Sequence, residues 1–306
     1  MRSVIENLAK KYFALLILLG GVSGLMFSKV GQSLTFLVMP SLFVLMFFTV
    51  LKVDLSKLLH SVKKPLPLIA AAIISYIIIP FVLYFIAYLF GFSELQKLSV
   101  MFSALAPTIL SAPYFVSIMR GDVEFSFVIS VVLTLLAPFV IPFELYVVFE
   151  KSINFPFFEI FSSILLLIVI PFILLLVLKR YFPTVIKTSK EFESTITSIM
   201  FFIFTWAVIS VNADKILGAT SYIYAVILLA IVQEFGFYIL LRYLGRIFLS
   251  EQMSKAFAFS IAVKNTVLTA GVAMLYSDDV ALMSGIVVLI HVPMFAWVLH
   301  KKNIKG

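Results

Sequence analysis

Apolar runs of about 20 residues, long enough for a helix to cross a bilayer core, recur along the whole chain with short polar stretches between them. The pattern predicts ten spans, at residues 12–29, 33–52, 66–91, 97–119, 123–149, 157–179, 196–213, 219–241, 253–276 and 279–299. Nothing is left over for a soluble domain. The basic residues test this map. With the N-terminus inside, eighteen fall in inner segments, in clusters such as Lys10 with Lys11, Lys52 to Lys64, Lys179 with Arg180, and Lys301 to Lys305. Only Lys29, Lys97, Lys151 and Lys215 fall outside. That bias puts both termini in the cytoplasm and agrees with an even number of spans. One basic residue, Lys264, fits neither group.

Composition supports an all-α, multi-pass protein of the cell membrane. The chain has 306 residues, 63% hydrophobic and 12% charged, with a mean hydropathy of +1.17. A soluble domain carries about twice that share of charge. The net charge of +8 lies in the loops, where topology accounts for it without a nucleic-acid partner. With no cysteine, disulfide and thiol chemistry are excluded. The basic start and apolar run of MRSVIENLAKKYFALLILLGG resemble a signal peptide, but no small-residue cleavage site follows, so this segment is taken as the first span. No metal-ligand spacing, phosphate loop or nucleophile–base set is visible. The chain is read as a non-enzyme without a cofactor, and nothing in it fixes the oligomeric state.

Two stretches hint at internal repetition. Arg120 to Pro138 reads RGDVEFSFVISVVLTLLAP, and Ser277 to Pro293 reads SDDVALMSGIVVLIHVP. Each sets an Asp-Val pair at a turn into an apolar span that later carries a proline. Five spans separate the copies, so they face opposite ways, as in many secondary transporters. The predicted repeats are residues 1–150 and 151–306.

Other residues sit badly in plain membrane helices. Pro107 and Pro113 flank Ser111 in the fourth span. They predict either a kink or a break with Pro113 opening the second half. Lys264 lies nine residues from Lys255 and fifteen from Asp279, too deep to snorkel easily. A charge there costs about 3 kcal/mol and usually faces a cavity or a partner. Glu144 and Glu234, also within spans, are its candidate partners. Ser126, Ser130 and Thr134 recur along one face of span five, as helix packing or as a polar path.

With these residues in view, the chain resembles the bile acid:sodium symporter family over its whole ten-span layout. The most specific match is RGDV followed by TLLAP, at Arg120 to Pro138. The resemblance implies two inverted five-helix repeats, with helices four and nine broken and crossing at mid-membrane. It also implies a core domain that moves against a panel domain to give alternating access, both built from the two halves. The family's sodium ligands are altered. Its span-four Ser-Asn pair aligns with Ala112 and Pro113, and its span-three glutamine with Ser75. Its EVGMQN motif aligns with Ser260 to Asn265, so the glutamate becomes Ser260 and the glutamine Lys264. The hydroxyls Ser126 and Ser130 survive, as do Asn265 and the histidine of a WHN triplet, His291.

One glutamate and two sodium ions would give the family site a net +1. Here a neutral Ser260 and the Lys264 ammonium also give +1. The resemblance thus implies a secondary transporter of a small organic anion, independent of sodium, with Lys264 in place of the ions. A buried ammonium is costly, so Lys264 could also exchange a proton. Helix starts near Pro113 and Asn265 would favour an anion. Asn265, His291, Ser111, Pro113 and Thr266 are expected to bind substrate, and Lys264, Ser260, Ser126 and Ser130 to couple it to an ion. The alternatives are an auxin efflux carrier-like protein, a sodium symporter with displaced ion sites, and a channel or receptor.

Overall fold

The computed structural model describes residues 2–51, 65–152 and 155–304. Lys52, Lys57, Lys63, Lys64 and Lys305, counted among the inner charges, lie outside the described residues. The first part of the chain forms α1 (Arg2–Met26), α2 (Ser28–Ser33), α3 (Val38–Leu51), α4 (Pro65–Ile73) and α5 (Ile79–Leu89). Then come α6 (Glu94–Ala104), α7 (Ala112–Ile118) and α8 (Val123–Phe149). The second part forms α9 (Phe157–Tyr181), α10 (Pro183–Glu191), α11 (Glu193–Ser210), α12 (Ala213–Leu217), α13 (Ser221–Ile231) and α14 (Phe237–Phe248). It ends with α15 (Glu251–Ala262), α16 (Thr266–Tyr276) and α17 (Asp278–Ile304).

Among the described residues, six helical stretches are long and apolar enough to cross a membrane: Pro65–Leu89, Val123–Phe149, Phe157–Tyr181, Glu193–Ser210, Ser221–Phe248 and Asp278–His300. Shorter apolar helices cover Tyr12–Met26, Thr35–Leu51 and Thr266–Tyr276. The outside of the molecule is apolar and its inside carries hydroxyls. Phe85, Phe143 and Phe158 are 58%, 60% and 78% exposed, while Ser99, Ser103, Ser130 and Ser284 are fully buried. Lipid is the solvent that such a surface fits.

The eighth predicted span, 219–241, in fact runs on to Phe248. Its last turns, FYILLRYLGRIF, are amphipathic: Tyr238, Leu241 and Gly245 face inward while Tyr243 and Ile247 face out. Two arginines hide that periodicity from a hydropathy reading.

Helices α1, α3, α9 and α11 pack on one another, while α4 to α8 and α13 to α17 make a second group. Across the two groups, α17 touches α1 and α11, α8 touches α9, and α16 touches α3, α9 and α11. The α1–α11 seam needs small residues. A Cβ on Gly20 would stand 2.7 Å from the Phe202 carbonyl oxygen, and one on Gly24 2.8 Å from Ile209 Cβ.

The RGDV motif has a local physical cause. Arg120 takes a left-handed conformation with φ 55°. The Phe125 amide then donates to Asp122 Oδ1 at 2.9 Å, capping α8. The Asp122 amide donates to the Gln252 carbonyl at 3.0 Å, which ties this turn to α15.

Candidate functional site

Four departures from α-helix build the site. A π turn, Ile74–Ile78, joins α4 to α5, and a second, Val232–Gly236, joins α13 to α14. Between α6 and α7, residues 105–111 leave the helix; between α15 and α16, residues 263–265 do the same. These last two segments meet. The Ile109 amide donates to the Val263 carbonyl at 3.2 Å, and the Asn265 amide to the Pro107 carbonyl at 2.6 Å. Thr108 and Lys264 form an antiparallel bridge between them. Each interruption thus satisfies the backbone groups the other exposes, which lipid could not do. Proline disposes the first to open, and Pro113 sits in the first turn of α7.

Lys264 lies on this bridge and is fully buried. Its Nζ donates to the Ser75 carbonyl oxygen at 3.0 Å and to Ser75 Oγ. The Tyr76 ring lies 5.9 Å away. Neither Glu144 nor Glu234 forms an ion pair with it within 4.0 Å among the described residues, although both are within electrostatic reach. At contact distance Lys264 thus meets a neutral serine, 189 positions away in sequence, and neither candidate carboxylate. Ser75 is also the position aligned with the family's span-three glutamine.

The hydroxyls are mostly occupied. Ser126 Oγ and Ser260 Oγ share a hydrogen bond of 2.7 Å, linking α8 to α15. Ser130 Oγ donates to the Ser126 carbonyl at 2.8 Å, and Thr134 Oγ1 to the Ser130 carbonyl at 2.7 Å. These last two bonds run back within their own helix. Thr108 Oγ1 donates to the Ser260 carbonyl. A lone threonine carries no signal in an apolar sequence, so the part Thr108 plays is visible only in the structure.

Of the residues expected to bind substrate, Asn265 and Thr266 open α16 and are buried. The Asn265 side chain caps nothing, and Thr266 Oγ1 has no partner among the described residues. Ser111 precedes α7 without a side-chain cap, and with Pro113 it is half-buried. His291 stands on α17, its Nε2 3.3 Å from Glu234 Oε1. Glu144 instead lines an outward groove of about 590 Å³ with Tyr76, Phe139, Phe143, Phe157 and Phe161. Phe139 and Phe143 are largely exposed there, so this groove faces lipid.

The second π turn mirrors the first. Ser75 and Gln233 hold equivalent places in Ile74–Ile78 and Val232–Gly236. Ser75 bonds to Lys264 at the second interruption. Gln233 bonds to Ser103 at the end of α6, with Ser103 Oγ donating to Gln233 Oε1 at 3.1 Å.

Among curated proteins no relative matches the chain. The sodium bile acid symporter family matches residues 39–219, which take in α3 to α12 with the first π turn, Ser75 and the first interruption. The members of that family are membrane transporters and not enzymes, and this chain belongs to the sodium bile acid symporter family.

Proposed function

We propose that the chain is a secondary transporter of a small organic anion, working by alternating access without sodium, with Lys264 as a built-in cation. One observation carries this reading. A fully buried ammonium stands where two helices are interrupted, held by a neutral serine and not by a carboxylate. Its charge is therefore not cancelled at contact distance, and α16, with Asn265 and Thr266 at its start, points its positive end at the same region.

The inverted-repeat arrangement is supported by matched irregularities. The third span of each half has a π turn, the fourth is interrupted, and the fifth carries an Asp-Val pair at its start, Asp122-Val123 or Asp279-Val280. Residues 1–150 and 151–306 then form the two repeats. Helices α6 to α7 and α15 to α16 are the broken pair crossing at mid-membrane. Helices α1, α3, α9 and α11 make the panel, and the second group makes the core that moves against it.

Sodium fits poorly. The positions aligned with its ligands offer no carboxylate, and Ala112 and Pro113 have no side-chain oxygen. An ion about 4 Å from Lys264 would be repelled by about 4 kcal/mol at an effective dielectric of 20. That is nearly three decades in affinity. The test is a thermal-shift screen of small carboxylates on purified protein, followed by uptake of the best one into proteoliposomes with sodium or choline outside. Equal uptake in the two salts is expected. Strong stimulation by a sodium gradient would refute sodium independence, and no response to any carboxylate would refute the anion.

A further inference from the structure

Glu234 and His291 are buried charge-bearing groups that face each other. Glu234 lies in the π turn Val232–Gly236 and is fully buried; His291 on α17 is 3% exposed. Glu234 Oε1 and His291 Nε2 are 3.3 Å apart, but the angle makes no hydrogen bond. Neither Glu234 oxygen, nor His291 Nε2, has another hydrogen-bond partner among the described residues. With the neutral imidazole's proton on Nδ1, the two facing atoms are both acceptors and repel. A proton taken up there, with the imidazole turned so that Nε2–H points at Oε1, makes the contact a charge-assisted hydrogen bond.

We propose that Glu234 and His291 together form a proton-binding site in the core. Its part in transport rests on the transporter reading above; the binding of the proton does not. The neighbours leave this role to the pair. Gln233 is taken up by Ser103. Tyr238, one turn further on, donates to Met119 Sδ at 3.6 Å. The elements packed on the turn are α13, α14, α15 and α17. On α14 and α15, Arg242, Arg246, Glu251 and Lys255 are engaged with one another. On α17, Asp278 and Asp279 lie in the first turn. Lys264 is the buried charge within reach of Glu234, with Glu144 beyond it.

The pair suits an anion carrier. Taking up one proton raises the charge of the buried set by one, and a bound monoanion lowers it by one. Each therefore favours the other, and the coupling is reciprocal. The imidazole also has a mechanical link to the interruption. It stacks on Phe295 at 5.4 Å, and Phe295 stacks on Phe115 of α7 at 4.3 Å.

The chain has three histidines, so the test is NMR of histidine-labelled protein in detergent, with His291 assigned by its loss in His291→Gln. The signal of His291 is followed across a window from about pH 5 to pH 9, which brackets neutrality, and is expected to move as the pair binds its proton. In Glu234→Gln, His291 should bind its proton at least tenfold more weakly, because the partner carboxylate is gone. Glu234→Asp, with a longer gap, should give a smaller loss and covers the case in which the glutamine variant does not fold. A His291 signal that is flat across the window, or one that titrates unchanged in both variants, overturns the proposal. No substrate is used. A failed titration therefore leaves the anion reading standing, and a failed carboxylate screen leaves the titration standing.

Discussion

If a neutral serine holds Lys264, the bond can be measured as a coupling between the two residues. Ser75→Ala removes Oγ and leaves the Ser75 carbonyl oxygen, 3.0 Å from Nζ, in place. A hydrogen bond to a charged group contributes about 1.5–3 kcal/mol. Both residues are fully buried, so water cannot replace the lost acceptor. Lys264→Met keeps most of the stem and removes the donor. The four proteins of a double-mutant cycle, unfolded by denaturant in detergent, isolate the pairwise effect. Ser75→Ala should cost about 1.5–3 kcal/mol in the native background and less than about 0.5 kcal/mol beside Lys264→Met. A coupling below about 0.5 kcal/mol would refute the reasoning, since additivity of that quality is what independent sites show. The result bears on function because removing one partner of a true buried ion pair costs about 3–5 kcal/mol. A Lys264→Met loss of that size would mean that the ammonium is spent on a carboxylate and is not free for an anion.

Three further predictions concern topology, the ion cluster around Glu251 and the site. The charge bias predicts that a cysteine replacing Arg2 or Lys305, in a chain that otherwise has none, is shielded from an impermeant thiol reagent in intact cells; labelling without permeabilisation would contradict it. Glu251 is held below the usual carboxylate range, chiefly by its hydrogen bond from Arg242. A carboxyl lowered in the folded state stabilises it above the ordinary value of 4.5, and that stability fades as pH falls below it. Melting temperature should therefore drop on acidification, and part of the drop should vanish in Glu251→Gln; an unchanged pH profile in the variant would count against the cluster. Asn265→Ala keeps the backbone bond to Pro107 and should leave folding intact. Losing one hydrogen bond to an anion should weaken carboxylate binding by roughly 10- to 100-fold, and unchanged thermal shifts would remove Asn265 from the site.

What could be read from the sequence follows from which forces are local. Hydropathy is additive along a segment, so every predicted span contains helix, and residues 123–149 coincide with α8. The turn into α8 was legible as well, since an aspartate three residues before the amide it caps is a local signal. The site was only half legible. Lys264 stood out because its cost is intrinsic, whereas Ser75 is silent: a serine in an apolar helix has many uses, and its partner is 189 residues away. The interruption at residues 263–265 has no proline to announce it. It exists because a second extended segment, around Thr108, supplies the missing backbone partners. Glu234 and His291 were each visible, but under separate roles. The π turn that carries Glu234 has no proline or glycine before Gly236 to mark it. Buried charges can thus be found by their intrinsic cost, but what answers them is set by packing between distant segments. The Glu234–His291 pair, whose facing atoms have no other hydrogen-bond partner among the described residues, is where that rule leads to a proton.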